Sequence, residues 1–383
     1  MRWVLFYHSL VSDWNHGNAH FLRGIASELL ARGHELRVYE PKYGWSRRNL
    51  VKDYGATAAA AYRRVYPHLE SRLYESDELD LGRALDGVDV VLVHEWNDPD
   101  LVRRIGEHRR RRGDFRLFFH DTHHRAITAP HEMEQYDLSA YDGVLAFGRV
   151  IAETYLERGW APRAWTWHEA ADVRVFRPLP KAPPEGQLVW IGNWGDDERS
   201  DELREFLLDP VKELSLSTRV YGVRYPVSAR RELQWAGIEY GGWLPNFRVP
   251  EVFAQFDLTV HVPRRPYREL LPGIPTIRVF EALACGLPLI TAPWEDAEGL
   301  FHPGRDYLIA QDGTEMRDLI ADVLDDPAKA GRLAAAGRAA ILARHTCSHR
   351  VDELLQVLRG LGMHVREGRH ARPYGGAPLA EAV

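Results

Sequence analysis

The chain has 383 residues, 45% hydrophobic and 27% charged, which is enough for two domains with full cores. A formal charge of -6 argues against general nucleic-acid binding, and the two cysteines, Cys285 and Cys347, give no disulfide framework. The apolar run Trp3–Tyr7 is too short for a leader or a membrane span and reads as a first strand, so the expectation is a cytoplasmic protein with no transmembrane segment, leaving room for peripheral membrane contact.

From the N-terminus, short apolar strands alternate with amphipathic, helix-length segments, the pattern of parallel βαβ units covered by helices on both faces. Strands are expected at Trp3–Tyr7, Glu35–Tyr39, Val90–Val93, Leu117–Phe119, Val144–Ala146 and Ala164–Trp167. The run His108–Arg112 reads as a solvated helix end, and Trp160, Trp165 and Trp167 read as packing. A proline-rich stretch from Phe176 to Gly186 interrupts the pattern. A second series follows at Leu188–Ile191, Arg219–Gly222, Leu258–His261, Leu289–Thr291 and Tyr307–Ala310, and helical periodicity from Pro327 to about Leu358 ends the fold.

These runs predict two doubly wound α/β domains of Rossmann type. Residues 1–178 form the first and 187–345 the second, with 179–186 as linker. Residues 346–362 are expected as a helix returning to the first domain, and 363–383 as a disordered tail. Open α/β sheets bind ligands beyond the carboxyl ends of their strands, which places a ligand cleft between two such domains.

One stretch carries chemistry on its own terms. Pro272–Ile290 reads as a glycine/proline loop, a short helix and a buried strand; Thr276 is the expected N-cap, and Gly286 with Pro288 stops the helix. A helix N-terminus behind such a loop offers free N–H groups and a positive dipole end to a phosphate. Glu281, one turn in, is placed to accept hydrogen bonds from a ribose.

Arg278-Val279-Phe280-Glu281-Ala282-Leu283-Ala284-Cys285-Gly286-Leu287-Pro288 resembles the Glu-Ala-Met/Leu-Ala-Cys-Gly-x-Pro signature of GT-B-fold, family-4-like glycosyltransferases, especially their spore-maturation (CgeB-like) branch. The resemblance implies that Glu281 binds the nucleotide ribose, and that Gly273, Ile274, Pro275, Thr276 and Arg278 line the donor site. Gly273 stands where the family carries a sugar-binding Glu. Asp13–His20 resembles the family's glycine loop, implying that His16, Gly17 and Asn18 face donor phosphate or acceptor. Phe118–Thr122 resembles the strand end whose His, here His120, lies near the anomeric carbon, with Asp121 beside it. His168–Pro178 is similar to the interdomain segment, without its glycine. In Trp190–Arg199 the family's first diphosphate cation is replaced by Asn193 and the second survives as Arg199, with Arg224 the candidate for the missing charge. Tyr240–Pro245, including Trp243 and Leu244, resembles the segment that contacts the base.

The resemblance implies a retaining, metal-independent glycosyltransferase that needs no cofactor and uses a nucleotide-diphosphate sugar as co-substrate, with an unidentified acceptor. Other readings stay open: a sugar-nucleotide 2-epimerase, a phosphorylase, a non-catalytic sugar-nucleotide binder, or an inverting enzyme in which His16 or His20 is a base paired with Asp121. A zinc site from His120, His123, His124 and His131 lacks the usual ligand spacing, and Asp196-Asp197-Glu198 reads as helix-start carboxylates.

Overall fold

Strand by strand, the apolar runs become two parallel sheets because each run is buried on both faces. The computed structural model describes residues 1–195 and 197–365, so Asp196 and the tail beyond residue 365 lie outside the described residues. The chain divides into two compact units, Met1–Arg174 with the segment from Cys347 onward, and Val175–Thr346. The division therefore falls at Arg174/Val175, ahead of the prolines expected to mark it.

Unit 1 holds seven strands: β1 (Arg2–Phe6), β2 (Glu35–Pro41), β3 (Ser71–Tyr74), β4 (Val90–His94), β5 (Arg116–Asp121), β6 (Gly143–Ala146) and β7 (Ala164–Thr166). Their order is β3-β2-β1-β4-β5-β6-β7, and the recorded pairs are parallel. Trp3 to Phe6, Val90 to Val93 and Leu117 to Phe119 are fully buried and form the heart of its core. Unit 2 holds β8 (Leu188–Ile191), β9 (Thr218–Tyr221), β10 (Glu239–Tyr240), β11 (Leu258–His261), β12 (Leu289–Thr291) and β13 (Leu308–Ile309), ordered β10-β9-β8-β11-β12-β13 and again parallel.

Among the described residues nine α-helices have nine or more residues. They are α1 (Ala19–Ala31), α2 (Trp45–Tyr54), α3 (Pro99–Arg112), α4 (Arg149–Glu157), α5 (Val227–Trp235), α6 (Ile277–Cys285), α7 (Gly313–Asp325), α8 (Pro327–Arg344) and α9 (Cys347–Gly360). The helical periodicity expected from Pro327 to about Leu358 is carried by two helices, α8 and α9. The His345 N–H closes the last turn of α8 on Ile341 O at 2.8 Å while its ring is held by the Leu300 carbonyl at 2.8 Å, and the Cys347 N–H leaves the ladder by donating to Ala171 O at 3.0 Å. Helix α9 lies with unit 1 and packs on α1. The basic run at the end of α3 is less solvated than expected: Arg109 pairs with Asp142 at 2.7 Å and donates to Phe115 O at 3.1 Å.

In both sheets the chain winds outward on one side, then restarts beside its first strand. The switch points are β1/β4 in unit 1 and β8/β11 in unit 2, and the crevice at their carboxyl ends is where such sheets take ligands. In unit 2 the loops after β8 and β9 pack backbone to backbone. A Cβ on Gly222, just after β9, would stand 1.8 Å from the carbonyl oxygen of Gly192, just after β8. Backbone cannot yield as a side-chain tip does, so Gly222→Ala is expected to lower the melting temperature by several degrees, a loss of about 1–3 kcal/mol. Calorimetry showing an unchanged transition would mean that the two loops are not packed this closely.

Candidate functional site

Two clusters of polar residues stand at these switch points. In unit 2 the loop after β8 carries Asn193 and Arg199. Gly192 and Gly195 make the seat for the Arg199 side chain: a Cβ at Gly192 would lie 3.1 Å from its Nη2, and one at Gly195 (φ +99°) would lie 2.7 Å from its Cγ. The guanidinium rests 5.0 Å over the Trp190 ring. It donates to Val262 O at 2.9 Å, Asn193 O at 2.6 Å and Asn193 Oδ1 at 2.9 Å. All of these partners are neutral.

Arg264, just past β11, donates to the same Asn193 Oδ1 at 2.9 Å and pairs with Glu198 at 2.6 Å. Burial and the neighbouring Arg264 push the Arg199 guanidinium down to about 9, with Arg278 acting in the same sense. Arg199 thus has no carboxylate bonded to it among the described residues and stands beside like charges, with Glu198 the acidic group acting on it in the opposite sense. Arg264 was not legible as part of it, since Val262-Pro263-Arg264-Arg265 reads as an ordinary loop; its one signal was position, directly after a central parallel strand.

The His261 ring, at the end of β11, bridges Thr291 Oγ1 and Thr276 Oγ1, both at 3.0 Å. Burial, with Arg199 nearby, pushes this imidazole down to about 3, so it is neutral. Thr276 does occupy the N-cap position of α6, but its hydroxyl makes no capping bond. The expected cap is corrected accordingly: the hydroxyl serves His261, and the amides at the start of α6 keep their donor capacity. Arg199, His261, Thr276 and Arg278 share the lining of a cavity of about 30 Å³, one water's worth of space.

Glu281 is fully buried, paired with Arg278, and accepts from Asn246 Nδ2 at 3.3 Å. To meet a ribose it must be uncovered. Ile274 is buried, and Gly273 has φ +88° with the Glu298 side chain against it, so that a Cβ there would lie 2.5 Å from Glu298 Cγ. Trp243 and Leu244 are half-buried on the loop that leads to Asn246. Arg224 is exposed with φ +60°; the cation bonded to Asn193 beside Arg199 is Arg264. A cavity of about 440 Å³ lies elsewhere: Asp257, Cys285 and Pro288 line it at the amino ends of β11 and β12.

In unit 1 the loop Ser9–Asn18 follows β1 and is held from below. Glu40 accepts from Leu10 N–H and from Val11 N–H (3.0 Å), while Arg23 of α1 donates to Leu10 O at 2.7 Å and Val11 O at 2.9 Å and pairs with Asp13 at 2.9 Å. Asn18 reaches Thr122 O at 3.3 Å, and Gly17 lies half-buried beside it. His16 stands edge-on to His8 and His94, with centroids at 5.0 and 6.1 Å, and His94 to His120 at 5.4 Å.

His120 is fully buried between Phe21 and Trp167, with neither ring nitrogen bonded. Burial pushes it down to about 3, so its ring is neutral. Asp121 receives the His123 N–H at 2.9 Å, and its other oxygen lies 2.8 Å from the Tyr155 hydroxyl. Neither His16 nor His20 is bonded to it; His20 Nε2 accepts the Asp172 N–H at 2.8 Å. The arrangement expected of a histidine base paired with Asp121 is therefore not formed in this structure. No group of three or more His, Cys, Asp or Glu is arranged to hold a metal ion among the described residues.

A family model described as glycosyl transferase-like matches residues 199–356. No curated protein matches the chain. Among solved structures, sucrose-phosphate synthase from Thermosynechococcus elongatus aligns with a TM-score of 0.64 at 16% identity, over 94% of this chain and 99% of that one. Anabaena HepE in complex with UDP-glucose aligns with 0.65 at 12% identity, over 94% and 100%. An alpha-glucosyltransferase in complex with UDP and a 13-mer DNA aligns with 0.67 at 11% identity, over 94% and 99%. The chain therefore has the GT-B fold, two parallel-sheet Rossmann-like units. It carries a glycosyl transferase-like domain, which makes it an enzyme of the glycosyltransferase class.

Asp121 yields a pH test. Burial, then repulsion from Glu95, raises its carboxyl to about 8, so between roughly pH 4 and 8 the folded chain keeps a proton that the unfolded chain has lost. Its contribution to stability is full below the unfolded value and is lost as pH rises through 8. Relative to Asp121→Asn, wild type should lose up to about 1.4 kcal/mol per pH unit across that window. Parallel urea-denaturation curves for the two proteins from pH 5 to 8 would show that Asp121 is ionised when folded.

Proposed function

We propose that this enzyme transfers a sugar from a nucleoside diphosphate sugar to an acceptor, with unit 2 binding the donor. The observation that carries the proposal is the half-buried Arg199 guanidinium, whose hydrogen-bond partners are all neutral, whose Nε has no acceptor among the described residues, and which is crowded by Arg264 at the β8/β11 switch point. Breaking a sugar–phosphate bond leaves positive charge on the sugar ring and negative charge on the departing diphosphate. Arg199, Arg264 and the amides opening α6 supply fixed positive charge for that leaving group without a metal ion. The UDP and UDP-glucose in the solved neighbours favour a uridine donor.

We further place the enzyme in the family-4-like, CgeB-like branch on the Arg278–Pro288 segment, and read it as retaining. In that reading His120, a neutral ring with two unused nitrogens, hydrogen-bonds the donor sugar, and the diphosphate assists proton transfer from the acceptor. Glu281 exchanges Arg278 and Asn246 for the ribose hydroxyls. Asp121, bonded to Tyr155 and the His123 N–H, is a positioning residue for the strand end that carries His120.

Nucleotide binding separates the cation seat from the surface. Arg199→Ala and Arg264→Ala should each weaken UDP binding in titration calorimetry by about 1.5–3 kcal/mol, the range for a hydrogen bond to a charged group, with Arg110→Ala unchanged. Wild-type affinity in both variants would remove the diphosphate from this cluster.

For the reaction itself, wild type should release UDP from UDP-sugar donors, and His120→Ala should cut turnover at least about tenfold, some 1.4 kcal/mol of barrier. NMR of the first product should show the donor's anomeric configuration. An inverted product together with an active His120→Ala variant would overturn the retaining scheme, whereas tight UDP binding with no release across acceptors would leave a binding protein.

A further inference from the structure

One face of unit 1 fits neither the core nor the proposed reaction. Helix α2 runs from Trp45 to Tyr54 and buries only Ser46 and Leu50. On a helical wheel these two share one side, Trp45, Arg48, Val51 and Lys52 span the other, and Tyr54, four residues after Leu50, closes the helix at the edge of the buried side. Trp45 is 42% exposed, Val51 37% and Tyr54 44%, with Tyr43 at 60% just before the helix. Four of the eleven exposed large hydrophobic residues among the described residues thus fall within twelve positions.

The same stretch is basic in an acidic chain. From Lys42 to Arg64 there are six Lys or Arg residues against Asp53 alone, while the whole chain carries -6. Lys42 is paired with Glu75, but Arg48, Lys52 and Arg64 have no carboxylate partner among the described residues. The helix is rigidly seated: Ser46 Oγ donates to Trp14 O at 2.7 Å, Trp14 Nε1 to Asp53 at 3.1 Å, and the Trp14 and Trp45 rings meet edge-on at 5.0 Å.

We propose that this face of α2 docks on an anionic lipid surface. Unpaired cations there meet acidic headgroups, while Trp and Tyr settle at the headgroup level, where one end of the ring is apolar and the other wet. Val51 has nothing to gain from a soluble polyanion, whose attraction is Coulombic; it gains from the acyl boundary. Lys and Arg stems lie along that boundary with their charges outward. The anchor is shallow and reversible, and it stands independently of sugar transfer.

The test uses the full chain and vesicles of phosphatidylcholine with 30% phosphatidylglycerol, pelleted at about 0.1 M salt, where charges still act over roughly 10 Å. Wild type should sediment with these vesicles, not with pure phosphatidylcholine, and be released at about 1 M salt. Arg48→Glu with Lys52→Glu should weaken binding at least about tenfold, and so should Trp45→Ser with Tyr54→Ser, both pairs keeping the wild-type circular dichroism and melting curve. No binding of wild type, or binding indifferent to the charge reversals, overturns the proposal. Loss with the charge reversals but not with the aromatic pair, together with release by soluble polyphosphate, assigns the face to a polyanion instead.

Discussion

A guanidinium taken out of water without a counter-ion is among the most costly groups a domain can keep, and the layout of unit 2 follows from keeping Arg199. Its five donors need acceptors that do not neutralise it. Two backbone carbonyls and one amide oxygen serve its two terminal nitrogens, Nε is left buried without an acceptor among the described residues, and Gly192 and Gly195 clear the space. Asn193 is well suited to its position: a carboxylate there would quench the charge, and a second cation would repel Arg199 and leave the guanidinium short of acceptors. With an amide oxygen shared between Arg199 and Arg264, two cations are held on one atom by hydrogen bonds; Glu198 balances Arg264, and the charge of Arg199 is left without a bonded carboxylate.

The topology explains why such a cluster forms where it does. At β8/β11 the chain departs to opposite sides, so the loops after the two strands part and leave a crevice that no connection crosses. Every charged or hydroxyl-bearing member of the unit 2 cluster follows a parallel strand or opens a helix: Asn193 and Arg199 after β8, His261 and Arg264 at and after β11, Thr276 before α6. Unit 1 repeats the plan with imidazoles in place of guanidinium groups. Four rings, His8 and His16 after β1, His94 of β4 and His120 of β5, stand edge to edge, and burial keeps all four neutral. Neutral imidazoles suit a polar, uncharged ligand, as the guanidinium cluster suits an anionic one.

Much of this was legible in the residues. Strands of parallel sheets are buried on both sides, so Val90–Val93 and Leu289–Thr291 announce themselves as continuous apolar runs. The edge strands β3, Ser71–Tyr74, and β10, Glu239–Tyr240, do not: each has solvent on one flank, carries polar residues, and owes its form to the neighbour it pairs with. The same limit hid Arg264. Composition marks residue types, whereas a shared acceptor such as Asn193 Oδ1 exists only once two loops, some seventy positions apart in sequence, have been brought together.

Thr276 shows how a local rule yields to a tertiary one. A threonine before an apolar helical run ordinarily turns its oxygen onto the helix amides. Here its backbone is extended, as a cap requires, but the hydroxyl bonds the His261 ring, itself fixed by Thr291 in the adjacent strand register. The helix forgoes a side-chain cap of about 1 kcal/mol; the Val279 N–H is met by the Thr276 carbonyl at 3.0 Å, and no side chain caps the amides before it. A side-chain cap in that place would compete with any anion for those donors. Diverting it into a buried Thr–His–Thr relay keeps the positive end of α6 open beside Arg199, and the two sources of charge then converge on one side of the sheet.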